Sequence, residues 1–76
     1  MSPRLPVVRA NEVVRVAERL GFVFDRQRGS HAVYRRPTDG VRVVIPMHAG
    51  KDLKPKTLAG ILDDLGVNPD EFRSLL

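Results

Sequence analysis

The chain contains no cysteine. That absence excludes disulfide staples, cysteinyl zinc sites and thiol nucleophiles, and the two histidines cannot by themselves furnish a structural zinc site. Long apolar runs are missing as well. None approaches the roughly 18 residues of a membrane span, and Met1 to Val8 (MSPRLPVV) is too short and too broken by proline for a secretory signal. No membrane association is expected, and a cytoplasmic location is. Several familiar signatures are also absent: there is no glycine-rich phosphate loop, no paired-histidine spacing for a metal and no serine-nucleophile motif. Asp63-Asp64 reads as a solvated helical pair rather than a metal-binding cluster. No cofactor and no metal site are expected.

What remains is 76 residues, 42% hydrophobic and 29% charged, ordinary proportions for a folded protein. A chain this short buries only about 60% of its unfolded surface, so one domain over residues 1–76 is expected, held by packing alone. The charge is uneven. Residues 1–56 carry twelve basic side chains against five acidic ones, a net +7, whereas residues 57–76 carry one against four, a net −3. Nine of those twelve cations are arginine, the residue suited to forked hydrogen bonding with phosphate. An anionic partner is implied, although a charge excess of this kind also keeps small domains soluble.

Hydrophobic spacing sets the element order. Asn11 to Leu20 (NEVVRVAERL) places Val13, Val16, Ala17 and Leu20 on one helical face, with Asn11 as a cap and Gly21 as the stop. Phe22 to Arg28 is strand-like, with Phe22 and Phe24 pointing one way, and Gly29-Ser30 marks a turn. His31 to Arg36 and Val41 to Ile45 form two more strands around the turn Pro37-Thr38-Asp39-Gly40. Pro55 opens a second helix carrying Leu58, Ile61, Leu62 and Leu65 on one face and ending at Gly66. Asn68-Pro69-Asp70-Glu71 caps a last short helix. The expected fold is α+β, an α-β-β-β-α arrangement with a three-stranded antiparallel sheet and two helices on one face, the other face being open.

Two histidines lie beside the basic strands. His31 follows Gly29-Ser30 at a strand start between Arg28 and Arg35; an imidazole titrates near neutrality, and flanking guanidinium groups would hold a phosphodiester beside it. A lone histidine at a strand start is more commonly a surface residue with a local hydrogen bond. His48, in the loop from Pro46 to Lys54, is a candidate second acid or base, and nothing in the spacing brings it to His31. Lys51, Lys54 and Lys56 cluster at the start of the second helix, where a phosphate backbone would be favoured. Tyr34 is read as structural; alternation puts His31, Val33 and Arg35 on one face and Ala32, Tyr34 and Arg36 on the other, so either Val33 or Tyr34 faces the helices, and Tyr34 is favoured inward, which would leave His31 on the open face.

Four segments occur in an order that resembles the HicA (YcfA-like) toxin family: Leu20-Gly21-Phe22, Arg28-Gly29-Ser30-His31 with Tyr34, Ile45-Pro46-Met47-His48, and Leu53-Lys54-Pro55-Lys56-Thr57-Leu58 through Ile61-Leu62. The resemblance spans about residues 9 to 67. It implies a fold like that of double-stranded RNA-binding domains, and a ribonuclease that cleaves mRNA until a HicB antitoxin blocks it. It also implies that His31, in the Gly-Ser-His motif, is the essential histidine. Lys56 stands where family members often have glycine. The expected activity is therefore metal-independent RNA cleavage through His31, with Arg28, Ser30, Arg35, Lys51, Lys54 and Lys56 as RNA contacts. A non-catalytic RNA- or DNA-binding module using the same basic face is the alternative.

Overall fold

Helix α1 (Ala10–Arg19) forms where valine and alanine recur at helical spacing, and it buries Ala10, Val13, Val16 and Ala17. The computed structural model describes residues 4–76. The helix begins one residue earlier than Asn11 would set as a cap. Arg9 takes the cap position with an extended backbone (φ −99°, ψ 164°), and the Glu12 carboxylate accepts its N–H at 2.9 Å. Arg9 is held extended by a β-bridge to Asp52, so tertiary pairing decides the boundary and leaves Asn11 exposed in the first turn. At the other end Gly21 is left-handed (φ +91°), and the N–H groups of Gly21 and Phe22 donate to Glu18 O and Ala17 O, both at 3.0 Å. This double closure satisfies carbonyls that the helix leaves free.

Strands β1 (Val23–Arg28), β2 (His31–Arg35) and β3 (Arg42–Pro46) make an antiparallel sheet in the order β1-β2-β3. Phe22, expected as the first strand residue, instead precedes β1 and is fully buried at the corner. Helices α2 (Pro55–Leu65) and α3 (Pro69–Leu75) follow. Leu58, Ile61, Leu62 and Leu65 are all buried, as their spacing predicts. Asn68 and Glu71 form the reciprocal cap of α3, with Asn68 Oδ1 accepting the Glu71 N–H at 2.8 Å and Glu71 Oε1 accepting the Asn68 N–H at 3.0 Å. The arrangement is α-β-β-β-α-α, consistent with a fold like that of double-stranded RNA-binding domains: α1 and α2 lie against β3, and α3 closes against α1 through the buried Phe72.

Because the helices cover one face, alternation sorts each strand. Ala32, Tyr34, Val43 and Ile45 are buried beneath them, whereas His31, Arg35, Arg42 and Val44 are exposed on the other side. Tyr34 is thus inward and His31 outward, which settles the choice between Tyr34 and Val33 that alternation leaves open. Burial pushes the Tyr34 phenol above its usual range, and the Glu18 carboxylate adds to the shift. Phe24 does share Tyr34's face, opposite it in the register and edge-on at 5.7 Å between ring centroids. It is nonetheless 55% exposed, because β1 lies at the sheet edge farthest from β3 and every residue of that strand is exposed.

The register contains one irregularity. Phe24 pairs with Tyr34, but the next partners are Arg26 and Val33, so Asp25 is an extra residue in β1. Such a bulge shifts the strand by one position and exchanges its faces. Beyond it, Arg26 lies opposite Val33 and Arg28 opposite His31 on the open face; an unbulged strand would bring Gln27 opposite His31 instead.

Arg36 seals the opposite end of the sheet. Its guanidinium lies 4.7 Å from the Phe22 ring centroid, donates to Leu20 O at 3.5 Å, and pairs with Asp39 at 2.8 Å in the turn that ends at left-handed Gly40. The hydrogen bond from Arg36, supported by the Val41 N–H, holds the Asp39 carboxyl below the usual carboxylate range. A depressed folded-state value stabilises the protein above the ordinary carboxylate range, and this contribution disappears as pH falls through the depressed value. Arg36→Ala should therefore lower Tm at neutral pH by more than it does in acid. Thermal melts followed by circular dichroism test this; an equal deficit at both pH values would show that the Asp39 pairing contributes nothing. Deleting Asp25 should remove the bulge without moving any pairing on either side of it, so cross-strand nuclear Overhauser contacts between Arg28 and His31 and between Phe24 and Tyr34 should both persist. Contacts between Gln27 and His31 in their place would show that Asp25 is not the inserted residue.

Candidate functional site

His31 stands at a crossing point on the open face. It is the first residue of β2, reached through the two-residue connection Gly29-Ser30, in which Gly29 supplies the left-handed position (φ +54°) that favours a tight hairpin. Its lateral neighbours are Arg28 on β1 and Pro46 on β3. Two surface depressions meet at it. One, of about 400 Å³, is lined by Arg26, Arg28, His31 and Val33. The other, of about 390 Å³, is lined by His31, Pro46, His48, Lys51, Asp52, Leu53, Lys54 and Thr57.

The loop that builds the second depression is tied at both ends. The Met47 N–H donates to Ser30 O at 2.5 Å, extending the β2–β3 ladder by a rung. The Lys51 N–H donates to His48 O at 3.2 Å across a turn completed by left-handed Gly50. Farther on, the Leu53 N–H donates to Val8 O at 2.9 Å, and Arg9 pairs with Asp52 at 3.9 Å. The N-terminal segment thus works as a strap that fixes where the lysines sit.

The structure brings together His31, Arg28, His48, Lys51 and Lys54 around these two depressions. It does not bring the others. Lys56 is exposed in the first turn of α2 and lines neither depression. Ser30 contributes its backbone carbonyl to the Met47 rung rather than its side chain to either depression. Arg35 shares the face of His31 but lies four residues along β2, roughly 13 Å away at the usual rise per residue. Arg26 is the residue that sequence reasoning leaves out of the site, because its facing depends on the Asp25 bulge. Asp52 and Thr57 are likewise legible only once the strap and α2 are in place.

The cations differ in whether an acidic side chain engages them. Among the described residues, ion pairs engage Arg9, Arg26, Arg36 and Arg73, and none engages Arg28, Arg35, Lys51 or Lys54. No polar or charged side chain is buried among the described residues, so the basic groups of the open face stay solvated. Arg35 and Arg42 stand directly opposite each other. Like charges directly opposite each other are destabilising, an effect that a bound anion would offset. The open face is thus a cationic surface with a solvent-exposed imidazole at one end, suited to holding a phosphodiester and exchanging a proton with it.

A family model described as the HicA toxin of bacterial toxin–antitoxin systems matches residues 10–67. No curated protein matches the chain. The matched stretch runs from the first residue of α1 through Val67, just past the glycine that ends α2, and includes both histidines, the bulged strand and the lysine loop; only the N-terminal strap and α3 lie outside it. With most of its length inside that match, the chain belongs to the HicA toxin family, a toxin whose counterpart is an antitoxin.

Proposed function

We propose that the protein is an endoribonuclease that cleaves mRNA by metal-independent acid–base catalysis and is neutralised by a HicB-like antitoxin. The observation that carries this reading is the position of His31, exposed where two cation-lined depressions meet. Neutral His31 takes the proton from a ribose 2′-OH. The 2′-oxygen attacks the adjacent phosphorus, the bond from phosphorus to the 5′-oxygen breaks, and that oxygen leaves with a proton. The products are a 2′,3′-cyclic phosphate and a 5′-hydroxyl. Arg28 and Lys54, on either side of His31, stabilise the charge that builds on the non-bridging oxygens. Arg26 and Lys51 extend the contact along the backbone, and Arg35 with Arg42 holds a more distant phosphate. DNA lacks the 2′-hydroxyl and should resist. An antitoxin would inhibit by covering His31 and presenting carboxylates to the same cations.

Purified protein incubated in excess EDTA with single-stranded and structured RNA should yield fragments ending in 2′,3′-cyclic phosphate. His31→Ala should lower the rate by about 10²–10⁴-fold, the usual contribution of a positioned general base. Equal cleavage by both proteins would remove His31 from the mechanism, and a strict metal requirement would replace the mechanism itself. RNA that shifts in mobility but stays intact would identify a non-catalytic binding module on the same face.

A further inference from the structure

We propose that His48 is the second catalytic residue, the acid that delivers the proton to the departing 5′-oxygen; this rests on the reading of His31 as the base. The sheet register carries the argument. The rungs Met47 N–H to Ser30 O and Arg36 N–H to Val41 O make residues 30 and 47, and residues 36 and 41, hydrogen-bonded pairs. Alternation then makes His31 and Pro46 a non-hydrogen-bonded pair, the kind whose side chains stand closest. With the ladder continuing one rung past Pro46, His48 returns to the side of Pro46 and His31 and is the diagonal neighbour of His31. Diagonal neighbours in antiparallel strands are about 7–8 Å apart. His48 is exposed, and both imidazoles line the same cleft.

That spacing suits the reaction. In an in-line displacement the attacking 2′-oxygen and the leaving 5′-oxygen lie on opposite sides of phosphorus, so base and acid must flank the phosphate rather than touch each other. Two imidazoles at diagonal positions leave room for it. Lys51 and Lys54, in the same cleft, would face the non-bridging oxygens. The remaining groups are poorer acids. As a residue type, a lysine ammonium is too weak an acid to protonate an alkoxide leaving group efficiently near neutrality, whereas an imidazolium is matched to the task. Asp52 is paired with Arg9, and Tyr34 is buried on the other face of the sheet. The His48 carbonyl accepts the Lys51 N–H, so the loop turn itself holds the residue in place. In the step, protonated His48 gives its proton to the 5′-oxygen as the bond to phosphorus breaks; His31 ends protonated and His48 neutral.

The test uses two versions of one RNA oligonucleotide, identical except that the second has sulfur in place of the 5′-bridging oxygen at the cleaved bond. A thiolate leaves without being protonated. His48→Ala should lower kcat on the oxygen substrate by about 10²–10⁴-fold and lose far less on the sulfur substrate, with KM little changed. His31→Ala should lose rate on both. Circular dichroism melts confirm that each variant folds, and His48→Asn, which keeps shape and polarity without titrating, should behave as His48→Ala does. Equal losses on the two substrates would make His48 a binding or structural residue, and full activity of His48→Ala on the oxygen substrate would remove it altogether. Unchanged cleavage by His31→Ala would instead overturn the assignment of the base and leave the His48 comparison to stand separately. Absence of cleavage by the wild-type chain on either substrate would overturn both.

Discussion

The one-sided burial of the sheet is the constraint from which the rest follows. Ala32, Tyr34, Val43 and Ile45 are the sheet's share of the core and lie beneath the apolar faces of α1 and α2, which would otherwise be left in water. A strand cannot slip by one residue without expelling that set into water, so the register is fixed by the hydrophobic effect rather than by the hydrogen bonds that display it. Once the inner set is fixed, so is the outer one: His31, Arg35, Arg42 and Val44 face outward without any polar interaction holding them there. The candidate site is the complement of the core.

The arginines on β1 obey a different rule. No helix covers that strand, and its own side chains bury little that would pin it. The bulge at Asp25 makes the choice instead, and it hands Arg26 and Arg28 to the open face. Two devices thus assemble one surface, burial for the histidine and an inserted residue for the arginines. A third, the strap formed by Val8 and Arg9 against Asp52 and Leu53, brings the lysine loop to the same place. The opposed Arg35 and Arg42 show what this arrangement costs: the face gives up some stability to keep its charge.

Much of this was legible in the residues. Helical spacing identified the buried faces of α1 and α2, the glycines marked the ends of both helices, and alternation sorted His31 and Tyr34 onto opposite faces without saying which face the helices cover. Other features escaped for physical reasons. Asn11 is a better intrinsic cap than Arg9, but a long-range β-bridge decides where the chain enters the helix. Phe22 and Phe24 look equivalent in a strand, yet one fills the corner below α1 and the other overhangs the sheet edge. A bulge has no sequence signature strong enough to set the facing of Arg26, and the approach of His48 to His31 depends on a ladder that runs past a proline. Local chemistry could be read from the sequence; what depends on distant partners could not.

The exposed edge strand has one more consequence. Beyond its hydrogen bonds to β2, β1 is held by the contact of Phe24 with Tyr34, whereas β2 and β3 are anchored through the core. The two halves of the surface therefore differ in local stability. The histidine half is tied to the buried residues of β2 and β3, while Arg26 and Arg28 lie on the strand that buries nothing, where local opening costs least. On the proposed reading, the imidazole sits on the anchored part of the sheet and Arg26 and Arg28 on the part that yields, so that product could leave without the core being disturbed.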